Sequence, residues 1–333
     1  MESAVAFFIF YWGAIVGSFL NVCIVRMPKE ESVVFPGSHC PSCQQAISWY
    51  DNIPLVSYFP LGGKCRFCRA KISSRYLIVE FLTAVLFLIL YSQFHLSGKF
   101  FAYTALTSGL IAATFIDLEH RIIPDEISVN GLFVGIIFSL FVPSLHDTAI
   151  QTLGIGRVVA SIFIGLCALK AIWDFIVTKG AGEDIDAILL MIVNIALWAG
   201  LLIGFILPWL NKSILKGIAP NFLSLNASLL GFLIGGACIY LLGLIGDFIF
   251  KKESMGGGDV KLLAMIGAFL GWKMVLLIFF IAPVFGAIPG IIIKIRTKES
   301  VIAYGPALAA AAFLCIFYGD AILKWFFRGY GLY

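Results

Sequence analysis

The sequence predicts an all-α polytopic membrane protein of about ten transmembrane helices, carrying a small cytoplasmic zinc-ribbon-like segment. Three observations lead there. Of 333 residues, 61% are apolar and only 13% charged, whereas a soluble domain carries about 25% charged residues. The apolar residues fall into long runs separated by short polar breaks. Four of the eight cysteines stand as two close pairs, Cys40-Pro41-Ser42-Cys43 and Cys65-Arg66-Phe67-Cys68. With so few polar side chains to cover a surface, a soluble globular chain, a disordered chain, a secreted disulfide scaffold and a free nucleic-acid binder are all excluded. The expected surrounding is the lipid bilayer.

Each element follows from a requirement of about 20 apolar residues per crossing helix. Ala4 to Val25 has no charge before Arg26 and reads as an uncleaved anchor, its acidic start being unlike a signal peptide. Residues 27–76 turn polar and hold all four paired cysteines. Further spans are expected at 77–95, 100–117, 127–143, 154–177, 187–210, 226–249, 260–271, 274–293 and 302–320. The segment 260–271 is short, either a half-helix or a helix interrupted at Gly271 and Trp272. The expected division is therefore an anchor at 1–26, the cysteine segment at 27–76, and a membrane domain at 77–333.

Orientation follows from the basic residues. With residues 27–76 in the cytoplasm, fifteen Lys and Arg lie in loops on that side and seven on the other. Asp117 and Asp259 then fall on the same cytoplasmic face as the cysteine segment.

Two C-x2-C knuckles at this spacing point to a four-thiolate tetrahedral zinc site formed by Cys40, Cys43, Cys65 and Cys68. A cytoplasmic location disfavours disulfides. The metal is expected to be structural, because four thiolates leave no open coordination position. Trp49, Tyr50, Ile53, Leu55, Tyr58 and Phe59 are the expected interior of this ribbon. The isolated Cys23, Cys167, Cys238 and Cys315 read as packing residues.

Ionisable residues at a membrane are functional candidates, and two contexts stand out. Asp117 closes the third span in Ile116-Asp117-Leu118-Glu119-His120-Arg121, and Asp259 follows a glycine run in Met255-Gly256-Gly257-Gly258-Asp259. Glycines permit close backbone approach, so Asp259 can meet another helix. Two carboxylates within hydrogen-bond reach share a proton, which suits one to activate water while the other polarises a peptide carbonyl. Local pattern alone leaves two alternatives open: a helix cap at Asp259 and an interfacial charge at Asp117. Asp125, after Pro124, reads as a helix start.

The ordered motifs resemble the bacterial type IV prepilin peptidases (prepilin leader peptidase/N-methyltransferases). They comprise Gly17-Ser18-Phe19-Leu20-Asn21 through Arg26-Met27-Pro28, His39-Cys40-Pro41-Ser42-Cys43, Trp49-Tyr50-Asp51-Asn52-Ile53-Pro54, Cys65-Arg66-Phe67-Cys68 and Val79-Glu80. Ile116-Asp117 to Pro124-Asp125 and Gly256-Gly257-Gly258-Asp259-Val260-Lys261 complete them. The resemblance covers about 1–145 and 226–310. It implies an aspartic endopeptidase of the bacterial inner membrane, with Asp117 and Asp259 as its catalytic pair. Its substrates would be prepilins and type II secretion pseudopilins, cut at the cytoplasmic face to remove a basic leader. It further implies methylation of the new N-terminus from S-adenosylmethionine, with the zinc-type segment associated with that half.

The sequence departs from the family in two places. An added helical pair lies at roughly 154–220, which preserves the parity of crossings, and Ala303-Tyr304-Gly305-Pro306 stands where Pro-Phe-Gly-Pro is usual. Glu119, Asp125 and Glu253 are candidates to attract the basic leader. The alternative from a different class is a non-enzymatic transporter or assembly subunit with a zinc-binding docking domain, although no internal repeat of the transporter kind is found.

Overall fold

The computed structural model describes residues 2–146, 212–251, 256–297 and 303–328. Among these residues the chain is helical without a single strand, and eight α-helices follow in order: α1 Glu2–Arg26, α2 Ser74–Phe94, α3 Gly98–His120, α4 Asp125–Phe141, α5 Lys212–Phe250, α6 Gly257–Leu270, α7 Trp272–Thr297 and α8 Gly305–Arg328. Four segments are long and apolar enough to cross a membrane: Ser3–Lys29, Ser74–Phe94, Gly98–His120 and Gly305–Phe326. Shorter apolar stretches occur at Ala227–Gly243 and Trp272–Ala287. The expected total of about ten crossings is not reached among the described residues. The expected spans 154–177 and 187–210 lie outside them.

Helix ends fall where local chemistry puts them. Ser73 and Ser97 cap α2 and α3, accepting the amides of Arg75 and Phe100, each at 3.3 Å, which satisfies donors left over at a helix start. Arg121 ends α3 in the left-handed region at φ 57°, returning its N–H to the Asp117 carbonyl. Pro124 precedes α4, and Asp125 and Glu126 occupy its first turn, where acidic groups oppose the helix dipole.

One element differs from expectation, and another, the short helix interrupted at Gly271, meets it. The loop before the seventh span does not exist, because α5 begins at Lys212 and runs unbroken for 39 residues. Lys212, Lys216, Pro220 and Asn221 read as loop by composition, yet they continue the helix. The short segment near 260–271 is a 14-residue helix that stops at Gly271. That residue has φ +79°, a conformation side chains oppose, and α7 starts at once.

α1 lies against α2, α5 against α6, α7 against α8, while α6 also packs on α4 and α8 on α3. α6 is the most enclosed element, with every residue from Leu262 to Phe269 buried. Its approach to α5 is backbone on backbone: Gly231 and Gly267 face each other with no room for a Cβ on either. Gly13 and Gly17 bring α1 equally close to the α2 backbone at Ala84 and Glu80.

The cysteine segment is tied to the bundle by buried polar contacts. Arg26 donates to the carbonyls of Ser32 (3.0 Å) and Gly37 (3.3 Å). Asn21 Nδ2 donates to the Tyr76 carbonyl (3.0 Å). Glu80 Oε2 accepts the Leu55 amide at 2.8 Å.

Candidate active site and thiolate cluster

The two knuckles repeat one local design. In each, the first cysteine's amide donates to a carbonyl five residues on (Cys40 to Gln45, Cys65 to Ala70, both 2.9 Å), and the residue after the second cysteine adopts positive φ (Gln44 58°, Arg69 59°). This folds each pair into a tight turn with both sulfurs on one side. All four Sγ atoms lie within 4.8 Å of one another, and Cys40 and Cys68 stand 3.8 Å apart. Tetrahedral zinc with bonds of about 2.3 Å requires sulfurs roughly 3.8 Å apart, so the donor set fits that ion. The Cys40 thiol is lowered to about 6 by the backbone N–H groups of Cys43 and Ser42. The Ala70 N–H favours a thiolate at Cys68, but burial and the three other cysteines outweigh it and hold that thiol at about 11.

Of the expected ribbon interior, Ile53, Leu55 and Tyr58 are half-buried and the other three aromatic residues are not. Trp49 and Phe59 are 79% and 72% exposed, and Tyr50 is also exposed. A segment this small has no second layer to cover them. Tyr50 packs instead beneath Arg66, whose guanidinium pairs with Asp51 at 2.5 Å and holds that carboxyl below its ordinary range.

Asp117 occupies the last turn of α3 and is buried, 6% exposed. Its carboxylate is therefore enclosed by the protein and not open at the helix end. Its Oδ2 accepts the Gly305 amide at 2.8 Å from the start of α8. Asp259 occupies the first turn of α6, and the cap alternative is not realised: Gly256 is the N-cap, and no side chain caps the helix. The glycines do what close approach requires, since a Cβ on Gly258 would press to 3.0 Å from Ile123 in the α3–α4 turn. The structure thus brings Asp259 within electrostatic reach of Asp117, across 142 positions of sequence.

Two ion pairs flank these carboxylates. Lys261 Nζ binds both oxygens of Asp125 (2.6 and 2.7 Å), joining α6 to α4. Arg75, at the end of the cysteine segment, pairs with Glu119, two residues beyond Asp117. Glu119 and Asp125 accordingly hold cations of their own chain, and Glu253 lies outside the described residues. Sequence reasoning noted Gly305 only as part of a motif and missed its contact, because residue identity does not say which carboxylate a backbone N–H will meet.

Comparison with known proteins gives a consistent picture. A family model described as the Bacterial Peptidase A24 N-terminal domain matches residues 11–94, which include all four clustered cysteines. A second, described as the Type IV leader peptidase family, matches residues 190–291 and takes in Asp259; Asp117 falls between the two matches. A prepilin leader peptidase/N-methyltransferase of Myxococcus xanthus is 30% identical over 295 residues, covering 89% of this chain and 65% of that protein. One from Pseudomonas aeruginosa is 29% identical over 338 residues, covering 94% and 90%. A type 4 prepilin-like proteins leader peptide-processing enzyme of Escherichia coli is 30% identical over 323 residues, covering 92% and 91%. No solved structure matches the chain.

Proposed function

The chain belongs to the prepilin leader peptidase/N-methyltransferase family, and from that premise we propose that it is a membrane aspartic endopeptidase removing the basic leader of prepilins and pseudopilins, and that it methylates the new N-terminus. One observation supports the reading: Asp117 in the last turn of α3 and Asp259 in the first turn of α6 lie within electrostatic reach of each other, with Asp117 bonded to the start of α8. A transporter's carboxylates would line a path through the bundle, whereas these sit at a helix end and a helix start.

The chemistry follows from the pair. In this reading the two carboxylates share one proton when they close on substrate. The ionised member takes a proton from water as the oxygen adds to the scissile carbonyl, while the protonated member donates to the carbonyl oxygen. Collapse of the tetrahedral adduct breaks the C–N bond, and the departing amine takes up a proton from the pair. The leader leaves with a new carboxylate, and the mature pilin with a free N-terminal amine. That amine is the methyl acceptor, with S-adenosylmethionine as co-substrate.

Cys40, Cys43, Cys65 and Cys68 would hold Zn2+, which closes the ribbon and leaves no position for substrate. In this reading the protein divides into an anchor at 1–26, the ribbon at 27–76 serving the methyltransferase half, and the peptidase domain from 77 onward. It resides in the bacterial inner membrane, with ribbon and aspartates at the cytoplasmic face. The prepilin's apolar helix lies among the helices, and its leader stays in the cytoplasm.

The test is cleavage of a purified basic-leader prepilin by wild type, Asp117→Ala and Asp259→Ala in detergent, followed by mass spectrometry with and without S-adenosylmethionine. Both variants should leave the precursor intact, and the wild-type product should gain a methyl mass only with the donor present. Normal cutting by either variant removes the catalytic assignment.

A further inference from the structure

The proton-sharing pair leaves one sequence motif unused, the Ala303-Tyr304-Gly305-Pro306 turn that opens α8. Its Gly305 amide makes the buried 2.8 Å bond to Asp117 Oδ2. A Cβ built on Gly305 would stand 2.8 Å from that oxygen and 3.3 Å from the Asp117 Cγ, so a side chain at 305 and the anchored carboxylate compete for one place. The turn itself is pinned, because the amides of Ala307 and Leu308 both return to the Tyr304 carbonyl (3.0 and 3.1 Å). Tyr304 lies within electrostatic reach of Asp259. Two consecutive residues therefore adjoin both carboxylates.

We propose that Gly305 is a positioning residue of the aspartate site: its backbone N–H anchors the Asp117 carboxylate beside Asp259, and its missing side chain is what admits that N–H. The inference rests on the peptidase reading. An aspartate turns freely about two torsions unless something holds it, and hydrogen bonds to ionised groups are the stronger kind. Misplacing a reacting group by about 1 Å costs on the order of 100-fold in rate. The anchor therefore acts on turnover and leaves substrate binding alone.

The experiment uses the full chain in detergent, with three changes. The amide joining Tyr304 to Gly305 is exchanged for an ester, which deletes the N–H and weakens, without removing, the Tyr304 carbonyl that accepts the Ala307 and Leu308 amides. Gly305→Ala is made alone, and again together with Asp117→Ala. The ester protein should bind prepilin with KM within about twofold of wild type and lose roughly 10- to 100-fold in kcat. Gly305→Ala should lower the melting temperature, and that penalty should shrink in the Asp117→Ala background, where the clashing carboxylate is gone. An ester protein with wild-type kcat, or an alanine penalty indifferent to Asp117, overturns the positioning role. A wild-type protein that cuts nothing removes the peptidase reading instead. The melting cycle needs no substrate and still decides whether Gly305 and Asp117 are coupled.

Discussion

Gly267 is where a single methyl group should do most harm to the bundle. α5 and α6 meet there without intervening side chains: a Cβ on Gly231 would lie 2.7 Å from the Gly267 carbonyl carbon and 2.8 Å from the Gly271 Cα. A Cβ on Gly267 would overlap the Gly231 carbonyl. Carbon atoms rest about 3.5–4.0 Å apart, so Gly267→Ala must part the helices by roughly 1 Å. Two terms oppose each other. Replacing glycine by alanine inside a helix stabilises by about 1 kcal/mol. Overpacking a core costs about 1–3 kcal/mol, and the upper end applies, because the obstacle is backbone and cannot rotate away. The net loss is about 1–2 kcal/mol.

Activity should suffer more than stability. Asp259 sits two turns from Gly267 on the same helix, roughly 12 Å along its axis, so moving α6 moves the carboxylate. The assay pairs thermal melting in detergent with prepilin cleavage at saturating substrate. Gly236→Ala is the control, since its Cβ would meet only the Ala264 Cβ at an ordinary 3.7 Å; it should melt at or above wild type. If Gly267→Ala melts and cuts like wild type, the backbone-contact account of α5 on α6 is wrong.

Further expectations concern the ribbon and the ion pairs. Elemental analysis of purified protein should find one zinc per chain, lost in Cys43→Ser with new protease cutting within 27–73; full ordering without metal would contradict the thiolate-cluster account. With Cys40 lowered to about 6, one ligand is already ionised at neutral pH, whereas Cys68 at about 11 must still release a proton. Zinc affinity should therefore rise with pH and fall more steeply once pH drops below about 6, where Cys40 protonates as well; competition with a chromophoric chelator checks this, and a flat profile refutes it. Lys261→Glu should cost no more than about 1 kcal/mol, because the pair with Asp125 is exposed, and adding Asp125→Lys should restore the melting temperature. Arg75→Ala should slow cleavage through the α3 end that carries Asp117, and Glu119→Arg combined with Arg75→Glu should recover it; cleavage untouched by either change shows the pair to be idle.

Much of this was legible in the sequence, for identifiable reasons. Hydropathy located each described helix, because burial in lipid allows almost nothing but apolar side chains along it. It misjudged the start of α5, since Lys212 to Asn221 carries loop composition while remaining helical. The knuckles were legible because thiolate spacing constrains geometry directly. The ribbon interior was not, because aromatic identity says nothing of whether a second layer exists, and Trp49 and Phe59 lie exposed. At Asp259 local pattern could not separate a cap from a site, as both call for a carboxylate at a helix start. Only the position of Gly256 as the true N-cap decides it. The role of Gly305 lay beyond sequence reasoning, because its motif does not say which carboxylate the turn approaches.

The way the ribbon leaves and rejoins the bundle has a consequence for how such chains can be cut and joined. α1 and α2 are already in backbone contact through Gly13 and Gly17, and Asn21 clasps Tyr76 just beneath the ribbon. The two ends of the segment therefore emerge side by side, as the two ends of a hairpin loop do. A short turn in place of residues 29–72 would span that gap, leaving Arg75 free to reach Glu119. The ribbon is thus a replaceable cartridge, and the same socket would accept a different small domain that brings its own carbonyls for Arg26 and an amide for Glu80.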